Sequence, residues 1–277
     1  MNAISDISTP LHVVDTFFRR LNEEGIRYCQ WKSTCRLPRS IKGETDFDLL
    51  VDRSQSQRFK EVLYQCDFKP FVSHPSRQFP AIEDYLGFDQ ATGRLVHLHI
   101  HYRLVLGEQY AKNYYLPLEK SFLDTTQARF GIKVPEPELE LIVLVIRALL
   151  KYRDRDVLHD VLGRGDTSGI PDGILNECTA LLAQTSIEEV IRALHAHAGF
   201  LPTDVVVKFL RTIDKSPRAG WQLYRLRQCV RRALAPYQRY SRWRARSIYY
   251  RVMLARQWPF DRVLRRFFLG QDKRKIP

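Results

Sequence analysis

Apolar residues recur at helical spacing at the start of the chain. Leu11, Val13, Val14, Phe17, Phe18 and Leu21 form one stripe that Pro10 opens and Gly25 ends, which predicts a helix. Residues 26–31 read as a strand, and 32–44 as a turn, a short helix and a loop punctuated by Pro38 and Gly43. Residues 46–51 read as a second strand. Ser54 is placed to cap a helix reaching Cys66, with Phe59, Val62 and Leu63 inward. A third strand is expected over 68–72. Residues 82–88 and 94–102 predict a hairpin around Asp89–Gly93, where glycine supplies the positive φ that such turns often need. Residues 113–118 are extended. A buried helix is expected over 139–152, and from there every segment is helical: 154–162, 171–183, 187–197, 203–213, 220–234, 237–256 and 260–268.

This order predicts an α+β protein: a small mixed β-sheet with flanking helices, followed by an all-helical C-terminal domain. The expected boundaries are 1–134, with Val134-Pro135-Glu136-Pro137 as the junction, then 135–217 and a basic, aromatic-rich helical tail over 218–277.

Charge supports a division of the chain. The net charge is +13, but residues 218–277 hold 17 Lys and Arg against only Asp261 and Asp272, so the body carries −2 and the tail +15. Five scattered cysteines without a CxxC pair argue against a disulfide frame or a structural zinc. No signal peptide is visible at residues 1–10. The run Leu141–Ile146 is too short to span a bilayer and ends at Arg147, so a cytoplasmic setting is expected, with the tail a candidate for the inner membrane face.

The candidate chemistry sits on the second strand. Asp46 and Asp48 are two residues apart, so both point to one face of a strand. Two like charges there repel, and a divalent cation removes that cost. Mg²⁺ is commonly held by one or two carboxylates together with substrate phosphates. The bland alternative is an edge strand with two solvated aspartates. Upstream, Lys32-Ser33 offers a point charge and a hydroxyl at a turn before a helix start, an arrangement suited to anions.

A small-residue turn, about a dozen residues and then acid-apolar-acid-apolar resembles the signature of the polymerase-beta-type nucleotidyltransferases. Lys32 stands where that pattern has glycine. Trp31-Lys32-Ser33, Gly43 to Val51 and His97 to Glu108 together resemble a bacterial group of nucleotidyltransferase-like domains, some fused to thymidylate-kinase-like domains and some found among surface-polysaccharide genes. The resemblance covers roughly the first 150 residues. It implies a nucleotidyltransferase core in which Asp46 and Asp48 bind Mg²⁺ or Mn²⁺, Lys32, Ser33 and Lys112 hold the triphosphate of an NTP such as ATP, and a third acid comes from a later strand. Related families read apolar-Asp-apolar-His-aromatic there, which lays His99 on the acid position and His101 on the histidine.

His97, His99 and His101 alternate, so all three share one strand face. His99 could ligate the metal or act as a base. The three could bind a softer ion such as Zn²⁺ or Mn²⁺, or some could simply pack. Asp89 and Glu108 are alternative third acids, Glu44 and Thr45 are candidates to set the loop, and Arg103 and Lys120 are spare phosphate or acceptor ligands. In the tail, Arg225, Arg232, Arg239, Arg242 and Arg246 mix with Trp221, Trp243 and Trp258. That composition suits an acidic partner or an anionic membrane better than nucleic acid, since no nucleic-acid module is visible.

The leading expectation is a metal-dependent nucleotidyltransferase acting on a hydroxyl or phosphate of a small or carbohydrate acceptor. The alternative is a catalytically degenerate fold serving as a nucleotide-binding or regulatory module for a kinase partner.

Overall fold

The alternating strand pattern resolves into a five-stranded sheet. A computed structural model describes residues 9–72, 78–107, 111–152, 170–215 and 220–257. The first part holds α1 (His12–Glu23), β1 (Tyr28–Gln30), α2 (Leu37–Ser40), β2 (Phe47–Val51), α3 (Ser56–Gln65), β3 (Lys69–Pro70), β4 (Ile82–Asp89) and β5 (Arg94–His101). Strand order is β1-β2-β5-β4-β3. β2 and β5 run parallel with Asp48 opposite His99, and every other pairing is antiparallel. The sheet is therefore mixed, and β2 lies inside it, which excludes the edge-strand reading of its two aspartates.

Period-two alternation sorts the two faces. Phe47, Leu49, Val51, Val96, Leu98 and Ile100 are buried with Phe17, Phe18 and Leu21 of α1 and with Phe59 and Leu63 of α3. Asp48, His97, His99 and His101 occupy the opposite face. Leu50, on that face, joins a second core instead.

The second core is helical. It is built on α5 (Pro137–Lys151), α6 (Asp172–Leu182), α7 (Ile187–His197), α8 (Thr203–Lys215) and α9 (Gly220–Ala233), with α10 (Arg242–Gln257) following. α5 is the expected buried helix: from Leu139 to Leu150 every residue except Arg147 is buried. Cys29, Trp31, Leu50, Leu104 and Leu116 pack into this cluster from the first part of the chain, and Leu223, Leu226 and Val230 pack into it from the tail. The expected junctions at 134/135 and 217/218 are thus both bridged by shared apolar packing. Among the described residues no helix is long and apolar enough to cross a membrane.

Several elements differ from expectation. The third strand contracts to Lys69–Pro70, with Phe71 and Val72 exposed. Ser54 is not the cap. Asp52 accepts from Ser54 N and Oγ and opens a 3₁₀ turn before α3. Short pairs β6 (Leu104–Leu106) with β7 (Tyr114–Leu116), and β8 (Thr126–Arg129) with β9 (Ile132–Pro135), flank α4 (Glu119–Asp124). The turn between β8 and β9 places Phe130 and Gly131 at positive φ, the geometry of a tight hairpin, but Phe-Gly lacks the usual Asn-Gly signal. α10 begins at Arg242 because a 3₁₀ turn at Ala235–Tyr237 intervenes. The helices expected over 154–162 and 260–268, with Trp258, lie outside the described residues.

Candidate functional site

Asp46 immediately precedes β2, and its carboxylate meets two of the three alternating histidines. His97 Nδ1 lies 3.2 Å from Asp46 Oδ1, and His99 Nε2 lies 3.5 Å from Asp46 Oδ2. These three side chains are close enough to place one donor atom each around a single ion. The other two ring nitrogens turn to Asp84 on β4. His97 Nε2 is 3.5 Å from Asp84 Oδ1, and His99 Nδ1 contacts the same oxygen. The antiparallel register, with Asp84 opposite His99, produces this. A carboxylate behind a ligating imidazole fixes its orientation and raises its basicity.

The cluster fits a cation. His97 Nδ1, His99 Nε2 and a carboxylate oxygen of Asp46 converge on one point, while Asp84 occupies the far nitrogens of both rings. The Asp84 carboxylate beside His97 raises the imidazole pKa against the opposing effect of burial, with Asp46 adding to the rise. Burial pushes the Asp84 carboxyl up, but the two imidazoles outweigh it and hold the group below the usual carboxylate range. Two imidazoles and a carboxylate are a donor set that suits Mn²⁺ or Zn²⁺ better than Mg²⁺.

Asp48 has different company. Its Oδ1 is 2.8 Å from Lys32 Nζ and 3.7 Å from His101 Nε2. Burial alone would raise its pKa, but Lys32 and His101 more than offset this and keep it ionised. His101 is only 2% exposed, and burial lowers its pKa to about 4, so it is neutral at pH 7. Its ring meets Trp31 edge to face at 5.1 Å. Thus the three histidines do share a face, but they divide their work: His97 and His99 serve Asp46, and His101 serves Asp48.

The turn is built with care. Ser33 is left-handed at φ 55°, ψ 38°, a conformation that costs free energy in a residue with a Cβ. Gln30 clips it to β2: its Nε2 donates to Lys32 O at 3.0 Å and its Oε1 accepts from Asp48 N at 2.9 Å. Glu140 of α5 accepts from Thr34 N at 2.8 Å and from Thr34 Oγ1. Burial pushes the Glu140 carboxyl up to about 7, against the Thr34 bonds. Lys112, at φ 40°, sits with Nζ 4.4 Å from the Phe79 ring centroid. Burial and then the Lys32 charge lower its pKa to about 8. Lys151, at the end of α5, is lowered by burial, Arg147 and Lys32 in turn. Lys32 thus pairs with Asp48 directly, and Lys112 and Lys151 act on the same carboxylate electrostatically from further away.

Asp46, Asp48, His99, Lys32, Ser33 and Lys112 thus lie around one face of the sheet. Asp89 does not belong to it. Its carboxylate accepts from Val13 N and from Thr92 N and Oγ1, so it holds the β4–β5 hairpin. Glu108 lies outside the described residues. Glu44 pairs with Arg39, and Thr45 Oγ1 bonds Ser40 Oγ at 2.8 Å, so both stabilise the loop before β2. Sequence reasoning missed Asp84, Gln30 and Glu140. Asp84 was within reach, because a hairpin turning at Asp89–Gly93 sets it opposite His99. Glu140 was signalled as the one acid within the buried apolar run from Leu139 to Leu150 of α5. Gln30 had no signal.

No protein-family model matches the chain, and no curated protein sequence or solved structure matches it either.

Proposed function

We propose that the chain is a metal-dependent nucleotidyltransferase with a polymerase-beta-type core, moving a nucleotidyl group from an NTP to a hydroxyl or phosphate of a small or carbohydrate acceptor. The observation that carries this reading is the juxtaposition of two sets of groups. The Asp46–His97–His99 cluster shares a sheet face with Asp48, which is paired with Lys32 and lies in the field of Lys112. Asp46, His97 and His99 would hold the ion, with Asp84 orienting both rings, and Mn²⁺ suits these donors better than the expected Mg²⁺. Such an ion supplies charge neutralisation for phosphate oxygens and a lowered pKa for a bound hydroxyl.

The protein's own groups do the rest. Lys32 exchanges Asp48 for a triphosphate oxygen, and Lys112, charged at neutral pH, adds a second cation. Asp48, ionised and then freed of Lys32, would be available to help hold the ion or to accept a hydrogen bond from the acceptor hydroxyl. His101 and Gln30 keep Asp48 and the Lys32 turn in register. Asp48→Asn keeps the main-chain bonds of Asp48 to Gln30 and Trp31, so the variant, checked as folded by circular dichroism, should reduce pyrophosphate release from the four NTPs with Mn²⁺ or Mg²⁺ by about 10²-fold or more. Equal release by wild type and variant would sink the assignment.

A second reading has its own support. The 2.8 Å Lys32–Asp48 pair neutralises the acid internally. That favours a site that binds nucleotide without turnover, as a regulatory module for a kinase partner would. It predicts nucleotide binding with no pyrophosphate release by the wild type. In the tail, α10 presents Trp243, 80% exposed, between Arg242 and Arg244, which suits docking to an acidic partner or an anionic membrane.

A further inference from the structure

A second cluster of cationic groups lies at the far ends of β2 and β5. Five residues along β2 separate Asp46 from Val51, about 17 Å of extended chain. There a cavity of about 680 Å³ opens between the strand ends, β7, α4 and the turn at 236–238. That volume falls in the range of small-molecule sites. Four cationic side chains line it, Arg27, Arg53, Arg103 and Lys120, with three carboxylates, Asp52, Glu119 and Asp124.

The carboxylates are already committed. Arg27 bridges Asp52 at 2.8 Å and Asp124, and Asp52 also accepts from Ser54. Glu119 accepts from Leu104 N at 3.1 Å, and burial raises its pKa. The cations are not equally committed. Arg53 and Lys120 have no carboxylate partner among the described residues. Arg103 feels the Glu119 carboxylate electrostatically but forms no ion pair with it, and its guanidinium lies 5.1 Å from the Tyr115 ring centroid, with Arg239 at 5.6 Å from the same ring. Stacking of this kind limits the rotamers of an arginine and so lowers the ordering cost of binding an anion.

We infer that this cavity is a second ligand site, which takes a phosphate-bearing small molecule on Arg53, Arg103 and Lys120. Two guanidinium groups and an ammonium match the oxygens of a phosphate. Arg53 sits in the 3₁₀ turn after β2, Arg103 in the bend between β5 and β6, and Lys120 on α4. The inference stands apart from the nucleotidyl-transfer reading, since none of its residues touches the Asp46 cluster.

The test is calorimetric titration with inorganic phosphate at low ionic strength. The wild type should bind saturably. Arg53→Ala with Arg103→Ala should weaken binding by roughly tenfold or more, as expected for loss of charge-assisted hydrogen bonds. Lys120→Ala alone should weaken it in the same direction. In a Lys32→Ala, Lys112→Ala background, which removes phosphate held at the other site, saturable binding should remain and should still be weakened by Arg53→Ala with Arg103→Ala. Circular dichroism confirms that each variant is folded. No saturable binding in that background, or equal binding with and without the Arg53 and Arg103 changes, overturns the inference.

Discussion

Glu140 is the residue whose chemistry differs most from its composition-level appearance. It sits in the most apolar helix of the chain, yet both carboxylate oxygens reach Thr34, next to the left-handed Ser33. Its pKa rises from 4.5 to about 7 through burial. Between those values the native chain binds more protons at this group than the unfolded chain does. Its contribution therefore makes stability fall as pH rises through that window, by at most about 1.4 kcal/mol per unit. Glu140→Gln keeps an acceptor for Thr34 N and a donor for Thr34 Oγ1 without the charge. Urea denaturation from pH 5 to 8 should show a flatter profile for this variant than for wild type, and the difference between the two profiles isolates Glu140 from the histidines. Identical slopes would contradict its assignment. Residue placement was legible where one period settles it, as for His97, His99 and His101 on one face of β5. They were illegible where the partner is remote in sequence, as Thr34 is from Glu140.

At the scale of elements, the sheet was read from alternation and its order was not. The hairpin of β4 and β5 was foreseen, and Gly93 has the positive φ expected of it. The parallel pairing of β2 with β5, which joins Asp46 to the histidines, depends on long-range packing that no local pattern encodes. Gly87 of β4 marks one such contact. A Cβ built there would lie 2.4 Å from Phe68 Cε1, and Phe68 is fully buried against α1. That close approach explains why a glycine stands mid-strand. Gly87→Ala should overpack the β3–β4 side of the sheet and cost about 1–3 kcal/mol. Thermal melts should record the loss as a Tm several degrees lower, whereas an unchanged Tm would show that the ring moves aside freely. Residues 113–118, read as extended, hold β7, but β6, β8 and β9 escaped the sequence because each spans only three or four residues, too few to establish a period.

At the scale of the whole molecule, the helical core and the sheet meet behind the site. Trp31 precedes the Lys32-Ser33 turn and packs in the helical cluster, while Leu50, two residues past Asp48, does the same. The division of charge between body and tail was plain in the sequence, but the packing of α9 from that tail into the shared core was not, since its arginines mask the stripe of Leu223, Leu226 and Val230. This arrangement holds the lysines and the Asp46 cluster against one another. The central claim is that the cluster binds one divalent ion. A Mn²⁺ titration of the metal-free protein, followed by electron paramagnetic resonance, tests it most directly. The account predicts one bound Mn²⁺ per chain, lost in Asp46→Asn and in His99→Ala while both variants stay folded by circular dichroism. A free-Mn²⁺ signal undiminished by the wild-type protein, or equal binding by wild type and Asp46→Asn, would contradict it.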